Sequence, residues 1–170
     1  SASRAIRNVA TLGGTIVVGN PCSQLCLALL ALDAQVVIRT PVVRVVPLIE
    51  FFANQAACLP TAGILTEIIV PVQPARIGTA LAQVSRTPRD QPIVSAAAWV
   101  RRVGHSCRQA RLSLGGIAPK PVRLPEIEAM ISYQKIDREL CARVAGALPG
   151  ILQISPDGKS SVEYRQEMAG

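Results

Sequence analysis

Aromatic side chains are scarce in this 170-residue chain: Phe51, Phe52, Trp99, Tyr133 and Tyr164 amount to 3% of it. None stands beside a basic cluster in an RNA-binding motif, so the stacking platforms of nucleic-acid grooves are missing and no nucleic-acid partner is expected. Histidine is rarer still. His105 is the only one, and its place beside Gly104 suits an exposed hairpin tip better than a general base. Lysine occurs only at Lys120, Lys135 and Lys159, which leaves arginine to carry most of the positive charge. There is no G-x-S-x-G nucleophile elbow and no G-x-G-x-x-G dinucleotide turn. Leu114-Gly115-Gly116-Ile117 lacks the spacing, and its glycines read as a closely packed strand end. No catalytic side chain is assigned.

Long apolar runs are also lacking. The stretch 25–32 is too short to span a bilayer, so no membrane span is expected. Residues 1–7 carry arginines with no apolar run behind them, so no secretory leader is expected either. Cys22, Cys26, Cys58, Cys107 and Cys141 are odd in number and irregular in spacing. They fit neither the plant-type iron–sulfur pattern nor a paired zinc ribbon, so no metal site is expected. Free thiols in a reducing, cytoplasmic compartment are the expectation.

What is present is a globular composition, 49% apolar and 17% charged, with a net charge of +7. The arginines are scattered; Arg101-Arg102, the densest pair, reads as the approach to a turn. Local patterns predict a turn at Thr11-Leu12-Gly13-Gly14, then a β-branched strand over 15–18 closed by Gly19-Asn20-Pro21. Ser23 caps a helix over 25–32, and strands follow at 35–39 and 42–46. Pro47 opens a short helix over 47–52, and a strand covers 64–70. Pro71-Val72-Gln73-Pro74 marks a boundary between two units, 1–74 and 75–170. Strands at 79–86, 93–102 and 106–114, the last two joined at Val103-Gly104, predict an antiparallel meander. Helices are expected at 124–131, 137–148 and 160–168, the second leaving at Gly150 and the last capped by Ser160 or Ser161.

Adjacent glycines let a backbone approach an anion closely, and Thr11 adds a hydroxyl; ordinary turns use glycine pairs too. The longer string Ile6-Arg7-Asn8-Val9-Ala10-Thr11-Leu12-Gly13-Gly14 resembles the second FAD-binding glycine motif of the molybdenum hydroxylase flavoproteins, the xanthine dehydrogenase and carbon monoxide dehydrogenase family. The resemblance continues in family order. It runs through Pro21-Cys22-Ser23, Leu29-Leu30-Ala31-Leu32-Asp33-Ala34, Ile64-Leu65-Thr66-Glu67-Ile68 and Arg86-Thr87-Pro88-Arg89-Asp90. Ile93-Val94, Leu114-Gly115-Gly116-Ile117-Ala118-Pro119, Pro121-Val122-Arg123 and Ser161-Val162-Glu163-Tyr164-Arg165 extend it over nearly the whole chain.

That resemblance implies an α+β fold: part of the second lobe of a two-lobe FAD-binding domain over 1–74, then a three-stranded antiparallel sheet with helices over 75–170. The N-terminal FAD lobe, with the other pyrophosphate loop, is expected to lie outside this C-terminal portion. It implies a flavoprotein oxidoreductase subunit that passes electrons from iron–sulfur clusters through FAD to NAD or another acceptor. Its implied partners are a molybdopterin-binding large subunit and a small subunit with two [2Fe-2S] clusters. Carried over residue by residue, Thr11, Gly13 and Gly14 match the pyrophosphate turn, and Asn8 braces it. Thr15 stands where many members have asparagine, and Gln24 where most have aspartate, both at cofactor contacts. Leu59 falls beside the isoalloxazine position. Ala82 replaces a lysine or other polar residue near the flavin, and Gly63 a frequent glutamate. FAD is expected in the full-length protein and not in this portion alone, which is expected to be inactive. A cofactor-less assembly or sensing protein of the same fold is the alternative.

Overall fold

The computed structural model describes residues 8–87, 90–152, 154 and 160–170. Ile6 and Arg7 of the glycine motif, and Pro88 and Arg89 further on, lie outside them. The elements run α1 (Leu12–Val18), α2 (Gln24–Ala31), β1 (Gln35–Arg39), β2 (Val43–Pro47), α3 (Leu48–Ala53), α4 (Gln55–Cys58), β3 (Ile64–Ile69), β4 (Ile77–Val84), β5 (Val94–Val103), β6 (Ser106–Gly115), β7 (Val122–Arg123), α5 (Pro125–Ile131), α6 (Arg138–Ile151) and α7 (Val162–Ala169). Two sheets form, ordered β2-β1-β3 and β4-β5-β6-β7, and every pairing in them is antiparallel. The fold is α+β, as expected. The meander β4–β6 is present, and the two-residue strand β7 adds a fourth member to its sheet.

The strand expected over 15–18 is instead the second half of α1. Its ends decide this. Thr11 caps the N-terminus, its Oγ1 accepting from the Gly14 amide at 3.0 Å. Gly19 closes the other end at φ 57, its amide donating to the Thr15 carbonyl. Two good caps and the burial of Ile16 outweigh the β preference of Thr15, Ile16, Val17 and Val18. Gly150 does not end α6 either. That helix continues to Ile151, with Pro149 inside it. Ser23, Asp137 and Ser161 cap α2, α6 and α7.

Helix α2 is apolar around most of its circumference because it is covered from two sides. Cys26, Leu29 and Leu30 enter a core with Ile16, Val36, Ile38, Phe51 and Phe52, between the first sheet and the short helices. Leu27 and Ala31 pack instead on Ala97 and Trp99 of β5. Beyond the second sheet, Leu114, Ile117 and Leu124 meet Ile127, Leu148 and Leu152 of the C-terminal helices. The layers are therefore sheet, helix α2, sheet, helices.

Polar contacts fix the middle of this stack. Ser113 Oγ donates to the Leu27 carbonyl at 2.8 Å. A β-carbon on Gly115 would overlap the Pro21 carbonyl oxygen, and one on Gly116 (φ 88) the Ile93 carbonyl, so both glycines are structural. Helix α2 ends in a Schellman turn: Ala34 N–H donates to Leu29 O and Asp33 N–H to Leu30 O. The left-handed residue there is Asp33, at φ 62, where glycine is usual. Its carboxylate meets Arg123 at 2.8 Å and Arg111 at 3.4 Å, and Arg123 also forks onto Glu128. Asp33 thus accepts a strained backbone and ties α2 to the second sheet. We expect Asp33→Gly to change stability by less than about 1 kcal/mol, because backbone relief offsets a half-exposed ion pair. Asp33→Ala loses the pair and keeps the strain, and should be about 1 kcal/mol worse than the glycine variant. Equal urea midpoints for the two variants would show that Asp33 is not strained.

Candidate functional site

The seven residues singled out in sequence fall on three helices and their flanks. Asn8 is exposed and helical, ahead of the Thr11 cap. Thr11, Gly13, Gly14 and Thr15 all belong to α1 or its cap, so the expected glycine turn is a capped helical N-terminus. Thr15 Oγ1 donates back to the Thr11 carbonyl at 2.9 Å, which commits its hydroxyl to the helix. Gln24 opens α2, and its Nε2 donates to Gln83 Oε1 on β4. Leu59 follows α4 and is half-buried against the first core, with Leu65 and Ile68. Gly63 makes room for it, since a β-carbon there would lie 3.0 Å from Leu59 Cδ1.

Two further contacts hold α1 in place, and neither was read from sequence. Gln55 Nε2 donates to the Val17 carbonyl at 2.6 Å, linking α4 to the end of α1. Lys120 Nζ donates to the Val18 carbonyl at 2.7 Å and lies over Gly19. A cation at a helix C-terminus is favourable there. No local pattern marks Lys120 or Gln55 as partners of α1, because the pairs are far apart in sequence.

The glycines of the motif are not equivalent. A β-carbon on Gly14 would lie 2.9 Å from Thr11 Oγ1, so Gly14 leaves room for the cap. A β-carbon on Gly13 would make only ordinary contact, 3.6 Å, with Leu65 Cδ2. Gly13 has no positive φ either. Glycine within a helix costs about 1 kcal/mol relative to alanine, and nothing in the packing of this chain requires it at position 13. Thr11, Leu12 and Gly14 are exposed, and Val9 and Ile64 are apolar side chains open to solvent. An anionic ligand needing close approach to backbone amides would find Gly13 without a side chain in the way. Ala82, next to Gln83, is exposed on β4.

A cleft of about 210 Å³ separates α2 from β4 and β5, lined by Ala28, Ala31, Leu32, Thr79, Leu81 and Ala97 among others. It contains no titratable side chain. No group of three histidine, cysteine or acidic side chains able to hold a metal is present among the described residues. No disulfide links the five cysteines, and only Cys141 is exposed. Burial raises the pKa of the Cys26, Cys58 and Cys107 thiols; at Cys26 the Ser23 hydroxyl and Lys120 oppose it, and at Cys58 Glu50 adds to it.

Residues 79–170 match the family described as the CO dehydrogenase flavoprotein C-terminal domain, and residues 1–73 match the FAD binding domain in molybdopterin dehydrogenase. The chain is similar to the glyceraldehyde dehydrogenase medium chain of Sulfolobus acidocaldarius, 27% identical over 96% of this chain and 58% of that one. It is 26% identical to the carbon monoxide dehydrogenase medium chain of Hydrogenophaga pseudoflava over 97% of this chain and 58% of the relative. A solved structure of carbon monoxide dehydrogenase from Hydrogenophaga pseudoflava superposes with a TM-score of 0.89 at 26% identity, covering 99% of this chain and 59% of that one. The chain thus spans a little over half the length of the medium chains it matches.

Two outcomes are expected from this geometry. Thr11→Ala should destabilise by about 1 kcal/mol through the lost cap. Gly14→Ala should cost a similar amount by displacing the same hydroxyl, and the double variant little more than either one; full additivity would separate the two effects. Ellman's reagent should modify Cys141 rapidly and the other four thiols only on unfolding. A second fast thiol in the folded protein would contradict the burial.

Proposed function

Because the chain belongs to the family of FAD-binding flavoprotein subunits of the molybdopterin dehydrogenases, we propose that it contributes part of a flavin site, with Thr11, Gly13 and Gly14 receiving the pyrophosphate of FAD. The observation that carries this reading is Gly13. Gly14, Gly19, Gly63, Gly115 and Gly116 each have a reason within the chain, whether a cap, a positive φ or a close neighbour. Gly13 has none among the described residues; Gly78, Gly146 and Gly150 share that lack, but of the four only Gly13 lies in the capped first turn of the glycine motif. Absence of a β-carbon there serves a ligand rather than the fold. Asn8 stands before this turn, and the apolar surface of Leu59 and Leu65 lies on the side of α1 that faces β3. When bound, FAD supplies the redox chemistry of such a subunit. The residues of this chain bind it, orient it and exclude water.

In this reading the chain divides near 71–74. Residues 1–74 are the portion that meets FAD, and 75–170 the C-terminal domain of carbon monoxide dehydrogenase type. The rest of the site, including the other pyrophosphate loop, comes from polypeptide outside these 170 residues. The whole protein would then be the medium subunit of a molybdenum hydroxylase. It would stand beside a molybdopterin-binding large subunit and a [2Fe-2S] small subunit, and deliver electrons to NAD or another acceptor. Cysteines without disulfides accord with a cytoplasmic setting. No helix among the described residues is long and apolar enough to cross a membrane.

A second reading, a cofactor-less assembly or sensing protein, draws on Gln24 and Thr15. Both stand at family cofactor contacts, and both are engaged within the chain, with Gln83 and Thr11. Gly13→Ala in the full-length protein separates the two. We expect the substitution to leave the flavin-free protein as stable as before, or more stable by up to about 1 kcal/mol. Flavin affinity should fall at least about tenfold, roughly the loss of one hydrogen bond to a charged group. A full-length protein that carries no flavin absorbance and takes up no added FAD would favour the second reading. Loss of stability in Gly13→Ala would make that glycine structural. The 170-residue chain alone should bind FAD more weakly than micromolar in a calorimetric titration, since several pyrophosphate donors are missing together.

A further inference from the structure

The fold gathers at one end of the second sheet cations that the sequence scatters. Ile77 of β4 pairs with Arg101 of β5, and the Arg102 amide donates to the Arg76 carbonyl at 3.1 Å. Arg102 pairs in turn with Cys107 of β6, just past the Gly104-His105 hairpin. Cys107 exchanges hydrogen bonds with Gln134 and Tyr133, and Ser106 bridges to Lys135. Four backbone segments therefore lie side by side. At about 4.8 Å per neighbouring strand, the rim from Arg76 to Lys135 is about 15 Å across.

Arg76, Arg101, Arg102, Arg108 and Lys135 are exposed on this rim, and Arg138 opens α6 beside it. The acidic groups on the adjoining segment are Asp137 and Glu139. Asp137 is engaged with the Leu140 amide and, at 3.9 Å, with Lys135. Six cations against two carboxylates leave an excess of four out of the chain's +7. Spacings of this size are comparable with the Debye length of about 8 Å at physiological salt, so the charges act together on an approaching surface.

Backbone strain marks the same place. Among the described residues three non-glycine residues have positive φ: Asp33, Arg76 and Tyr133. Asp33 is accounted for by its ion pairs. Arg76 and Tyr133, at φ 61 and 64, stand at the two ends of the rim. Bulky side chains are held in the left-handed region only where the surroundings over-determine them, and such strain collects at functional places. Arg108 lies 4.8 Å over the Tyr133 ring, which fixes that guanidinium.

We infer that this rim is a docking surface for an acidic face of a partner protein. It presents exposed guanidinium groups, one of them fixed over Tyr133, and guanidinium is the donor suited to carboxylates. The chemistry favours protein over nucleic acid. Tyr133 is the one aromatic ring among the described residues of the rim, and Arg108 stands over one of its faces, so the rim lacks the series of stacking platforms that successive bases need.

The test uses the full-length protein and a labelled oligoglutamate peptide at low salt, with single-stranded oligonucleotide and phosphatidylserine vesicles as parallel probes. The rim variant Arg101→Gln/Arg102→Gln/Arg108→Gln is compared with Arg39→Gln/Arg44→Gln/Arg143→Gln, which removes the same charge elsewhere. Both should keep the parent's thermal transition. The rim variant should bind the peptide roughly tenfold more weakly, three exposed pairs having been lost, and the control should stay near the parent. Equal loss in both would reduce the effect to net charge and overturn the proposal. Tighter rim-dependent binding of oligonucleotide or vesicles than of peptide would overturn it in favour of those partners, and no peptide binding by the parent would also sink it.

Discussion

Helix α2 is the constraint on which the rest of the structure depends. A helix covered on two sides must satisfy two surfaces with eight residues, and its sequence, Gln24 to Ala31, is apolar almost throughout for that reason. Leu27, Leu29 and Leu30 are each nearly inaccessible, and burial of such a side chain is worth about 1.5–3 kcal/mol. Among the described residues α2 supplies most of the apolar contact between the two sheets, with α3 against β7 and Lys120 on the Val18 carbonyl as smaller links. This is why polar closure is concentrated there: Ser113 on the Leu27 carbonyl, Gly115 against Pro21, and Asp33 reaching across to Arg111 and Arg123. The same helix positions Gln24 against β4 and borders α1, so the candidate flavin surface inherits its placement from this packing.

Most of this framework was legible in the sequence, and the misses have a common cause. The helix over 25–32, the strands of both sheets and the C-terminal helices announced themselves by a capping serine or aspartate, by β-branched runs or by a glycine hairpin. The segment 15–18 did not, because Thr15, Ile16, Val17 and Val18 favour a strand locally while Thr11 and Gly19 close a helix around them. Helix α4 has four residues and β7 has two, too few to show a period. At the candidate site Thr11, Gly13 and Gly14 were readable as an exposed, backbone-presenting segment. The partners of Thr15 and Gln24 were not, since one is a bond back into a helix read as a strand and the other crosses to a strand 59 positions away.

The glycines sharpen that distinction between fold and function. Sequence reads Gly115-Gly116 as a packed strand end and Thr11-Leu12-Gly13-Gly14 as a ligand turn, but treats Gly13 and Gly14 alike. Structure separates those two by what a methyl group would meet. At Gly115 and Gly116 it would meet backbone carbonyls, and at Gly14 the capping hydroxyl. At Gly13 it would meet a leucine methyl at ordinary distance. Gly146 and Gly150 of α6 have no such neighbour either, so what distinguishes Gly13 is its place in the capped first turn of the glycine motif, which suits an anion.

The scarcity of lysine has a structural counterpart. Several of the arginines do what an ammonium group does poorly. Arg123 forks onto both oxygens of Glu128 while reaching Asp33, and its pKa is raised, first by the Glu128 hydrogen bonds. Arg111 lies 4.3 Å over the Trp99 ring and Arg108 over Tyr133. Arg165 is buried in the last helix and donates to the Gly116 carbonyl at 2.9 Å, holding α7 to the glycine strand end. Lys120 is used where a point charge suffices, at the carbonyl end of α1. Arg123 and Arg111, paired with Asp33 and Glu128, add little to an external field, whereas Arg108 keeps its charge exposed over Tyr133. Among the described residues the rim at the Gly104-His105 hairpin gathers six cations against two carboxylates, more localised charge than the scattered arginines of the sequence suggest.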